Sequence, residues 1–316
     1  MEYRELGKTG LRVSRLCFGT LTLGPLQARL EHAAGVALLA KAYEKGVNFY
    51  DTAQSYGTYD FLRAHIKNVG RSHVIITSKS YASSQIQAEA ALYDALKALD
   101  TDYLDIMLLH EQVSASTLQG HQAALDSWSK AKEAGYLRAI GMSTHHVAAV
   151  RAAIMNEAIE VVHPLFNYAG FGIQDGDAAM MYAAMQECFW MGKGIYAMKA
   201  LGGGHLRAQA AEAIAYVLEK PELASIAIGM QNETELQVNT AYFNADHPDA
   251  FLLNALDKQP RHLHIESYCQ RCGKCLSHCS SGALHLDSQG LRVDHDLCLT
   301  CGYCAKACPE FALKIL

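Results

Sequence analysis

The sequence predicts an α/β fold, a (β/α)8 barrel with a parallel sheet followed by a small α+β domain. Short apolar runs alternate with longer amphipathic runs along most of the 316 residues, which is the element order of a parallel barrel. Eight of the ten cysteines lie between Cys269 and Cys308, which sets a short C-terminal segment apart. We therefore expect a barrel over residues 1–245, a linker with a short helix over 246–265, and a cysteine-rich domain over 266–316.

The barrel follows from eight apolar runs of strand length, most of which precede a helical stretch. The candidate strands are Leu16–Gly19, Asn48–Tyr50, Val74–Ser78, Tyr103–Leu109, Ala139–Met142, Val161–Pro164, Gly194–Met198 and Ile226–Ile228. The candidate helices include Glu31–Lys45, Gln85–Leu99, His121–Glu133, Ala178–Trp190, Ala210–Leu218 and one that opens at Glu233. No Gly-x-Gly-x-x-Gly follows the first strand, so a doubly wound nucleotide-binding fold is not indicated.

The linker carries an apolar stripe made of Phe251, Leu252, Leu253 and Leu256. This spacing is typical of one face of a helix. We expect the short helix to pack on the barrel, so that the C-terminal domain is docked.

The C-terminal domain contains the spacing Cys-x2-Cys-x2-Cys-x3-Cys twice. Two-residue gaps let three thiolates of one loop reach three irons of a cubane, while the fourth cysteine points away to a second cluster. The spacing predicts two [4Fe-4S] clusters with crossed ligation, one held by Cys269, Cys272, Cys275 and Cys308 and the other by Cys298, Cys301, Cys304 and Cys279. Four-cysteine sites also bind zinc, but the doubled spacing fits paired zinc knuckles poorly.

This doubled spacing resembles that of bacterial two-cluster ferredoxins, over residues 266–316. Ser280 stands where that family has a proline, which shapes the turn but is not a ligand. Between the two cysteine groups, apolar residues alternate around Gly290, which predicts a short hairpin.

Composition excludes several classes of function. The formal net charge is -5, and no basic patch of the kind that binds nucleic acid is present. No apolar run approaches the roughly 18 uncharged residues of a membrane-spanning helix, and the first residues lack the apolar core of a signal peptide. We expect a cytoplasmic protein.

Polar side chains stand at the ends of three successive predicted strands. Asp51 and Tyr56 follow the second strand, Lys79 ends the third, and His110 follows the fourth. In parallel barrels the chemistry takes place at the C-terminal ends of the strands. We expect these four side chains to converge on one pocket.

The four residue types suit proton transfer at a carbonyl oxygen. A free tyrosine has a pKa near 10, and the ammonium of Lys79 should lower the pKa of Tyr56 by favouring the phenolate. Asp51 would hold Lys79 in place, and His110 would orient the oxygen that exchanges a proton with Tyr56.

The segments around these residues resemble the catalytic segments of the aldo-keto reductase superfamily. The resemblance covers residues 1–245 and includes 4–10, 17–20 and the predicted fifth strand at 135–143. A substantial group of this family carries a C-terminal ferredoxin-type domain, and this chain resembles a member of that group. The resemblance implies an oxidoreductase that interconverts a carbonyl and an alcohol, with Asp51, Tyr56, Lys79 and His110 as catalytic residues.

The resemblance also implies a nicotinamide cofactor, NAD(P)H. The implied cofactor-binding residues are Ser143, Thr144, Asn167, Met198, Lys199, Gly202, Gly203, Gly229, Gln231 and Asn239. Thr144 replaces an asparagine of the family, and Met198 stands where many members stack a tyrosine. Gln231 stands where NADPH-using members offer Arg or Lys for the 2′-phosphate, so a preference for NADP is not predicted.

Three functional hypotheses remain open at this point. In the first, the clusters link carbonyl chemistry in the barrel to one-electron carriers, with a small carbonyl or alcohol substrate and a ferredoxin-like carrier as partner. In the second, the barrel is a nicotinamide-dependent reductase and the clusters are structural or redox-sensing. In the third, the chain is an electron-transfer or scaffold subunit whose barrel binds a partner or ligand without turnover.

Overall fold

The computed structural model describes residues 1–316, and its centre is a closed barrel of eight parallel strands. A hairpin, β1 (Tyr3–Glu5) and β2 (Arg12–Ser14), precedes the barrel. The barrel strands are β3 (Leu16–Gly19), β4 (Phe49–Asp51), β5 (Ile75–Ser80), β6 (Leu104–Leu109), β7 (Leu137–Thr144), β8 (Val161–Pro164), β9 (Gly194–Met198) and β10 (Ser225–Gly229). They pair in chain order, and β10 closes on β3. The predicted (β/α)8 barrel is confirmed.

Helices surround the barrel and bury one face against its strands. They are α1 (His32–Glu44), α2 (Tyr59–Val69), α3 (Gln85–Leu99), α4 (Ala115–Gly120), α5 (Gln122–Glu133), α6 (Val147–Ile154), α7 (Ala178–Trp190), α8 (Ala210–Leu218) and α9 (Glu233–Phe243). A core of 50 buried residues fills the space between helices and strands. None of these helices is both long and apolar enough to cross a membrane.

The N-terminal end of the barrel is plugged by the β1–β2 hairpin. Leu6, Leu11 and Val13 of the hairpin region join inward-facing strand residues such as Phe49 in a second buried core. Gly7 has a φ of +57°, and a Cβ there would lie 2.3 Å from the backbone nitrogen of Gly194. The plug therefore seats against β9 only because this position is a glycine.

The C-terminal domain is built from two small antiparallel pairs and a short helix. Strand β11 (Leu263–Ile265) pairs with β14 (Leu313–Ile315), and β12 (Leu284–Asp287) pairs with β13 (Gly290–Val293). Helix α11 (Tyr303–Lys306) lies between the two pairs in the chain. The hairpin predicted around Gly290 is present.

The linker contains the predicted short helix, α10 (Ala250–Asp257), which packs against α9. The expected apolar stripe is only partly used, because Phe251 is 77% exposed. Docking of the C-terminal domain instead relies on a third apolar core, in which Phe311, Leu313 and Ile315 pack with Leu165 of the barrel. Leu165 follows β8, so the domain sits on the C-terminal face of the barrel.

Candidate active site and cluster cavities

The strand ends bring the four predicted catalytic residues to the same face of the barrel. Asp51 is the last residue of β4, Lys79 is the penultimate residue of β5, and His110 directly follows β6. Tyr56 lies in a 3-10 turn, Gln54–Tyr56, that leaves β4.

A buried ion pair organises this group. The Nζ atom of Lys79 lies 2.6 Å from Oδ2 of Asp51 and donates to the carbonyl oxygen of Thr52 at 2.8 Å. The same Nζ lies 3.4 Å from the phenol oxygen of Tyr56. Lys79 is 1% exposed and Asp51 is 4% exposed, so solvent does not compete for either charge.

Two further residues, absent from the predicted set of site residues, hold the other side of Asp51. The hydroxyl of Tyr196 donates to Oδ1 of Asp51 at 2.8 Å. The ring of His163 stacks on Tyr196 with centroids 3.8 Å apart, and its Nδ1 lies 2.7 Å from the carbonyl oxygen of Tyr196. Both side chains are buried and point into the barrel. The alternation of β9 indicates that Tyr196 faces inward, but no sequence signal names its partner.

His110 is buried, and neither of its ring nitrogens has a hydrogen-bond partner within the chain. Nδ1 is fully enclosed by protein atoms. Its ring stacks on Tyr81 at a centroid distance of 4.6 Å and meets Tyr56 edge-on at 5.8 Å. Burial, with the charge of Lys79 next in effect, lowers the pKa of His110 well below its usual value. The imidazole is therefore neutral at pH 7.

The pKa of Tyr56 moves in the direction opposite to the sequence prediction. Burial raises it well above 10, and the charges of Asp51, Glu111 and Glu266 add to this effect. Lys79 does not offset the rise, because its charge is already paired with Asp51 at 2.6 Å. The expectation of a lowered pKa was wrong for this arrangement, in which Tyr56 is a neutral phenol at pH 7.

The polar residues expected to hold the nicotinamide amide are buried and bonded within the chain. Thr144 Oγ1 donates to the carbonyl oxygen of Gln112 at 2.6 Å, and Ser143 Oγ accepts from the backbone N–H of Glu111 at 3.0 Å. The Asn167 amide donates to the carbonyl oxygens of Phe171 and Lys199 and accepts from the Phe171 N–H.

The residues after β9, expected to face the nicotinamide ring and the phosphates, contact the C-terminal domain. Met198 packs against the third apolar core. Lys199 Nζ lies 3.0 Å from Nε2 of His145, and burial lowers the pKa of Lys199 to about 8. Gly202 and Gly203 begin a glycine turn in which a Cβ on Gly203 would lie 2.8 Å from Cδ of Lys314.

The residues after β10, expected near the adenosine, surround a carboxylate. The backbone N–H of Gln231 donates to Oε2 of Glu235 at 2.8 Å, and the Asn239 amide donates to the Glu235 carbonyl at 2.9 Å. Arg261 brings a cation here, but it is paired with Glu235 at 2.8 Å. Gly229 is exposed at the end of the strand. The cation that Arg261 brings to this place is therefore already paired and is not free for a 2′-phosphate.

The eight cysteines of the C-terminal domain line two separate cavities. Cys269, Cys272, Cys275 and Cys308 line one, and Cys279, Cys298, Cys301 and Cys304 line the other. These are the same two sets that crossed ligation predicts. No three His, Cys, Asp or Glu side chains of the chain are arranged to hold a single metal ion. Each set instead rings a space, which fits a multi-iron cluster better than one zinc ion.

Comparison with known proteins agrees with both parts of this architecture. Residues 15–213 match the Aldo/keto reductase family, and residues 268–312 match the 4Fe-4S dicluster domain. The L-galactose dehydrogenase of Arabidopsis thaliana is 23% identical over 282 residues, which cover 76% of this chain and 88% of the plant protein.

Two solved structures share the barrel fold. An aldo-keto reductase from Bacillus halodurans, in its holo form, superposes with a TM-score of 0.67 at 19% identity, over 82% of this chain and 96% of its own. A protein from Pseudomonas aeruginosa described as an aldo-keto reductase gives a TM-score of 0.66 at 24% identity, over 77% of this chain and 94% of its own. The resemblance found in the sequence is confirmed: this chain is an oxidoreductase that belongs to the aldo/keto reductase family and carries a C-terminal 4Fe-4S dicluster domain.

Proposed function

We propose that this enzyme interconverts a carbonyl and an alcohol on a small substrate, with Tyr56 as the group that exchanges a proton with the substrate oxygen. The observation that carries the proposal is the position of Lys79 Nζ, 2.6 Å from Asp51 and 3.4 Å from the Tyr56 hydroxyl, at the C-terminal strand ends. A cation held beside a phenol stabilises the negative charge that the phenol acquires when it gives up its proton.

The protonation states favour reduction of the carbonyl. Tyr56 has a raised pKa, so it carries the proton that a carbonyl oxygen needs as it becomes a hydroxyl. His110 is neutral at pH 7, and its Nε2 makes no hydrogen bond within the chain and is not enclosed as Nδ1 is, so a substrate oxygen can bond to Nε2. The neutral ring orients that oxygen without adding a competing charge.

The domain at 266–316 fits two iron–sulfur clusters, because its eight thiols form two groups of four around two cavities. Such clusters, when bound, supply or accept electrons one at a time, so reduction of one carbonyl would take two electrons in succession, with one proton from Tyr56 to the oxygen and a second from solvent to the carbon. The proposed partner is therefore a one-electron carrier of the ferredoxin type, alongside the carbonyl or alcohol substrate.

The contacts of the docked domain argue against a nicotinamide dinucleotide in this arrangement. The Asn167 amide nitrogen donates to two backbone carbonyls, and the C-terminal domain contacts Met198 and the glycine turn. A purely nicotinamide-dependent reaction would require the domain to move, so no step is assigned to that cofactor. Membership of an oxidoreductase family argues against a scaffold without turnover.

The first test replaces the proton donor. Tyr56→Phe in the iron-loaded enzyme should lower the rate of carbonyl reduction by about 10²- to 10⁴-fold, because the ring remains but no proton is available. The assay uses reduced methyl viologen as the electron donor, under anaerobic conditions, with a panel of small aldehydes and ketones.

A matched control separates chemistry from folding. Tyr93→Phe changes a 62% exposed tyrosine on α3 and should leave the rate unchanged. If Tyr56→Phe kept wild-type activity, the assignment of Tyr56 would fail. If the wild type kept its activity after its iron was removed, the clusters would be structural.

A further inference from the structure

The last strand of the C-terminal domain lies against the loop that follows β9 of the barrel. A Cβ on Gly204 would lie 2.1 Å from the carbonyl oxygen of Ile315 in β14, and a Cβ on Gly203 would lie 3.2 Å from the ring of Phe311. Gly203 and Gly204 have φ of +64° and +89°. The turn is thus shaped by glycines that let β14 approach the barrel backbone.

In (β/α)8 barrels the loops after the seventh and eighth strands commonly form the phosphate-binding site. Here these are the loops after β9 and β10. In the first of them, the N–H groups of Gly202 and Gly204 donate to carbonyl oxygens of the same loop, and Nε2 of His205 bonds to the Leu313 carbonyl at 2.9 Å. Two of the backbone N–H groups that would face a phosphate are therefore used within the loop, and the side chain of His205 is used by β14.

The contact between the two parts is apolar and continuous. Phe311 is 0% exposed and packs in one core with Leu165 and, at its edge, Phe171 and Met198 of the barrel. Gly172 touches the same ring, since a Cβ there would lie 2.7 Å from it. Phe311 therefore fills the space in front of Met198 that a flat cofactor ring would need.

Lys314 adds a positive charge to this contact between the C-terminal domain and the barrel. It is 4% exposed, its ammonium donates to the Phe311 carbonyl, and it lies over the Phe311 ring together with Lys199. Neither ammonium has a carboxylate within ion-pair distance. Phe311 and the side chains of β14 thus pack directly on Gly203 and Gly204.

We infer that β14 closes the nucleotide groove of the barrel, so that docking of the cluster domain and binding of a nicotinamide dinucleotide exclude each other. In the docked form Cys308 packs against the same core as Phe311 and Leu165 of the barrel. The N–H of Ala312 donates to the Cys308 sulfur at 3.3 Å, and the N–H of Phe311 donates to the Cys308 carbonyl at 3.1 Å. The domain that shuts out the nucleotide therefore brings a one-electron donor to the same place.

The test measures nucleotide binding and release of β14 together, in iron-loaded protein under anaerobic conditions. NADH and NADPH binding is followed by their fluorescence, and hydrogen exchange reports on the barrel amides of Phe171 and Ile173, whose side chains pack against the docked domain. We expect no saturable binding up to about 1 mM nucleotide, or binding that speeds exchange of these amides at least about tenfold. Saturable binding with these amides still protected would overturn the inference.

Two variants weaken the contact between the C-terminal domain and the barrel, one in the domain and one in the barrel loop. Phe311→Ala removes the side chain that fills the groove, and Gly204→Ala places a methyl group against Ile315. Visible absorbance verifies that the clusters are retained. In each variant, nucleotide should bind where exchange shows that β14 has left, and should not bind where β14 stays protected.

The outcomes are separable. A variant with β14 released that still fails to bind either nucleotide would overturn the inference, as would one that binds with β14 in place. Phe251→Ala, on the exposed face of α10, is the matched control and should behave as wild type. The measurement involves no turnover, so its result is independent of whether Tyr56 is the proton donor.

Discussion

At the scale of single residues, His65 on α2 makes the barrel sensitive to acid. It is 0% exposed between the rings of Tyr43 and Tyr50, and neither ring nitrogen has a hydrogen-bond partner. Burial lowers the pKa of His65 from 6.5 to about 4. The unfolded chain takes up a proton near pH 6.5 while the folded chain resists until about pH 4, so stability is lost as the pH falls through this window.

Replacing this side chain should remove the contribution of His65 to the loss of stability at low pH. For His65→Phe we expect the free energy of unfolding to rise by about 1 kcal/mol at pH 7, because two unpaired nitrogens are removed. Between pH 7 and pH 5 the variant should lose about 2 kcal/mol less than wild type. Urea unfolding at both pH values measures this. His247→Phe, at an exposed histidine, should show the wild-type pH dependence, and an unchanged dependence in His65→Phe would contradict the argument.

The residues of the candidate site differ in how well the sequence predicts them. Asp51, Lys79 and His110 follow from strand order alone, because parallel strands deliver their C-terminal residues to one face. Tyr196 does not, because its partner Asp51 is 145 positions away and lies across the barrel. Which hydroxyl meets which carboxylate depends on the register of strands that are not neighbours.

At the scale of elements, Asp105 ties three strands together at the opposite end of the barrel. Its carboxylate accepts from Arg71 and Arg138 at 2.7 Å each and from the backbone N–H of Ile76 at 2.9 Å. Asp105 is 0% exposed. These contacts join β5, β6 and β7 near their N-terminal ends. This end of a barrel is far from the active site, so changes here affect stability and not catalysis.

Neutralising this carboxylate should destabilise the barrel without altering its chemistry. Asp105→Asn leaves two guanidinium groups without a negative partner, and we expect a loss of about 3 kcal/mol in the free energy of unfolding. Asp100→Asn is the control, because the Lys67–Asp100 pair is exposed and should matter little. Equal stability of the two variants in urea would contradict the prediction.

The elements themselves were largely predictable. Every barrel strand was located within a residue or two, since long apolar periodicity survives tertiary packing. Helices α2, α4 and α6 were not among the candidates, and the role of α10 was overstated because apolar spacing does not reveal what covers Phe251. Strand β14 was not predicted, because three residues are too few to show an alternation of apolar and polar side chains.

At the scale of the whole molecule, the two cavities group the cysteines across both sequence motifs, and this grouping can be tested by pairs of substitutions. Cys279→Ser with Cys298→Ser removes two ligands from one predicted cluster, so about half of the iron should remain. Cys269→Ser with Cys279→Ser removes one ligand from each, so both clusters should be lost. Iron and labile sulfide content measure the result, and the reverse pattern would show that each motif holds its own cluster.

The sequence did not predict that the cluster domain docks over the C-terminal end of the barrel. The contact uses Leu165, Phe311 and Ile315, ordinary apolar residues that a core would contain in any case. These residues matter because they cover the C-terminal ends of the barrel strands, and this position is visible only in the folded structure. The same placement brings Glu266 close enough to raise the pKa of Tyr56.

The order of the parts along the chain makes the closing of the groove by β14 depend on the supply of iron. The barrel precedes β14 during synthesis and has its own core, so it can fold first with the loop after β9 uncovered. We expect the strand to take its place when the thiols around it receive iron and sulfide, because metal binding and folding are linked. Iron starvation, or oxidative loss of the clusters, would then leave an uncovered barrel, and the cell's iron status would decide which electron donor the same polypeptide accepts.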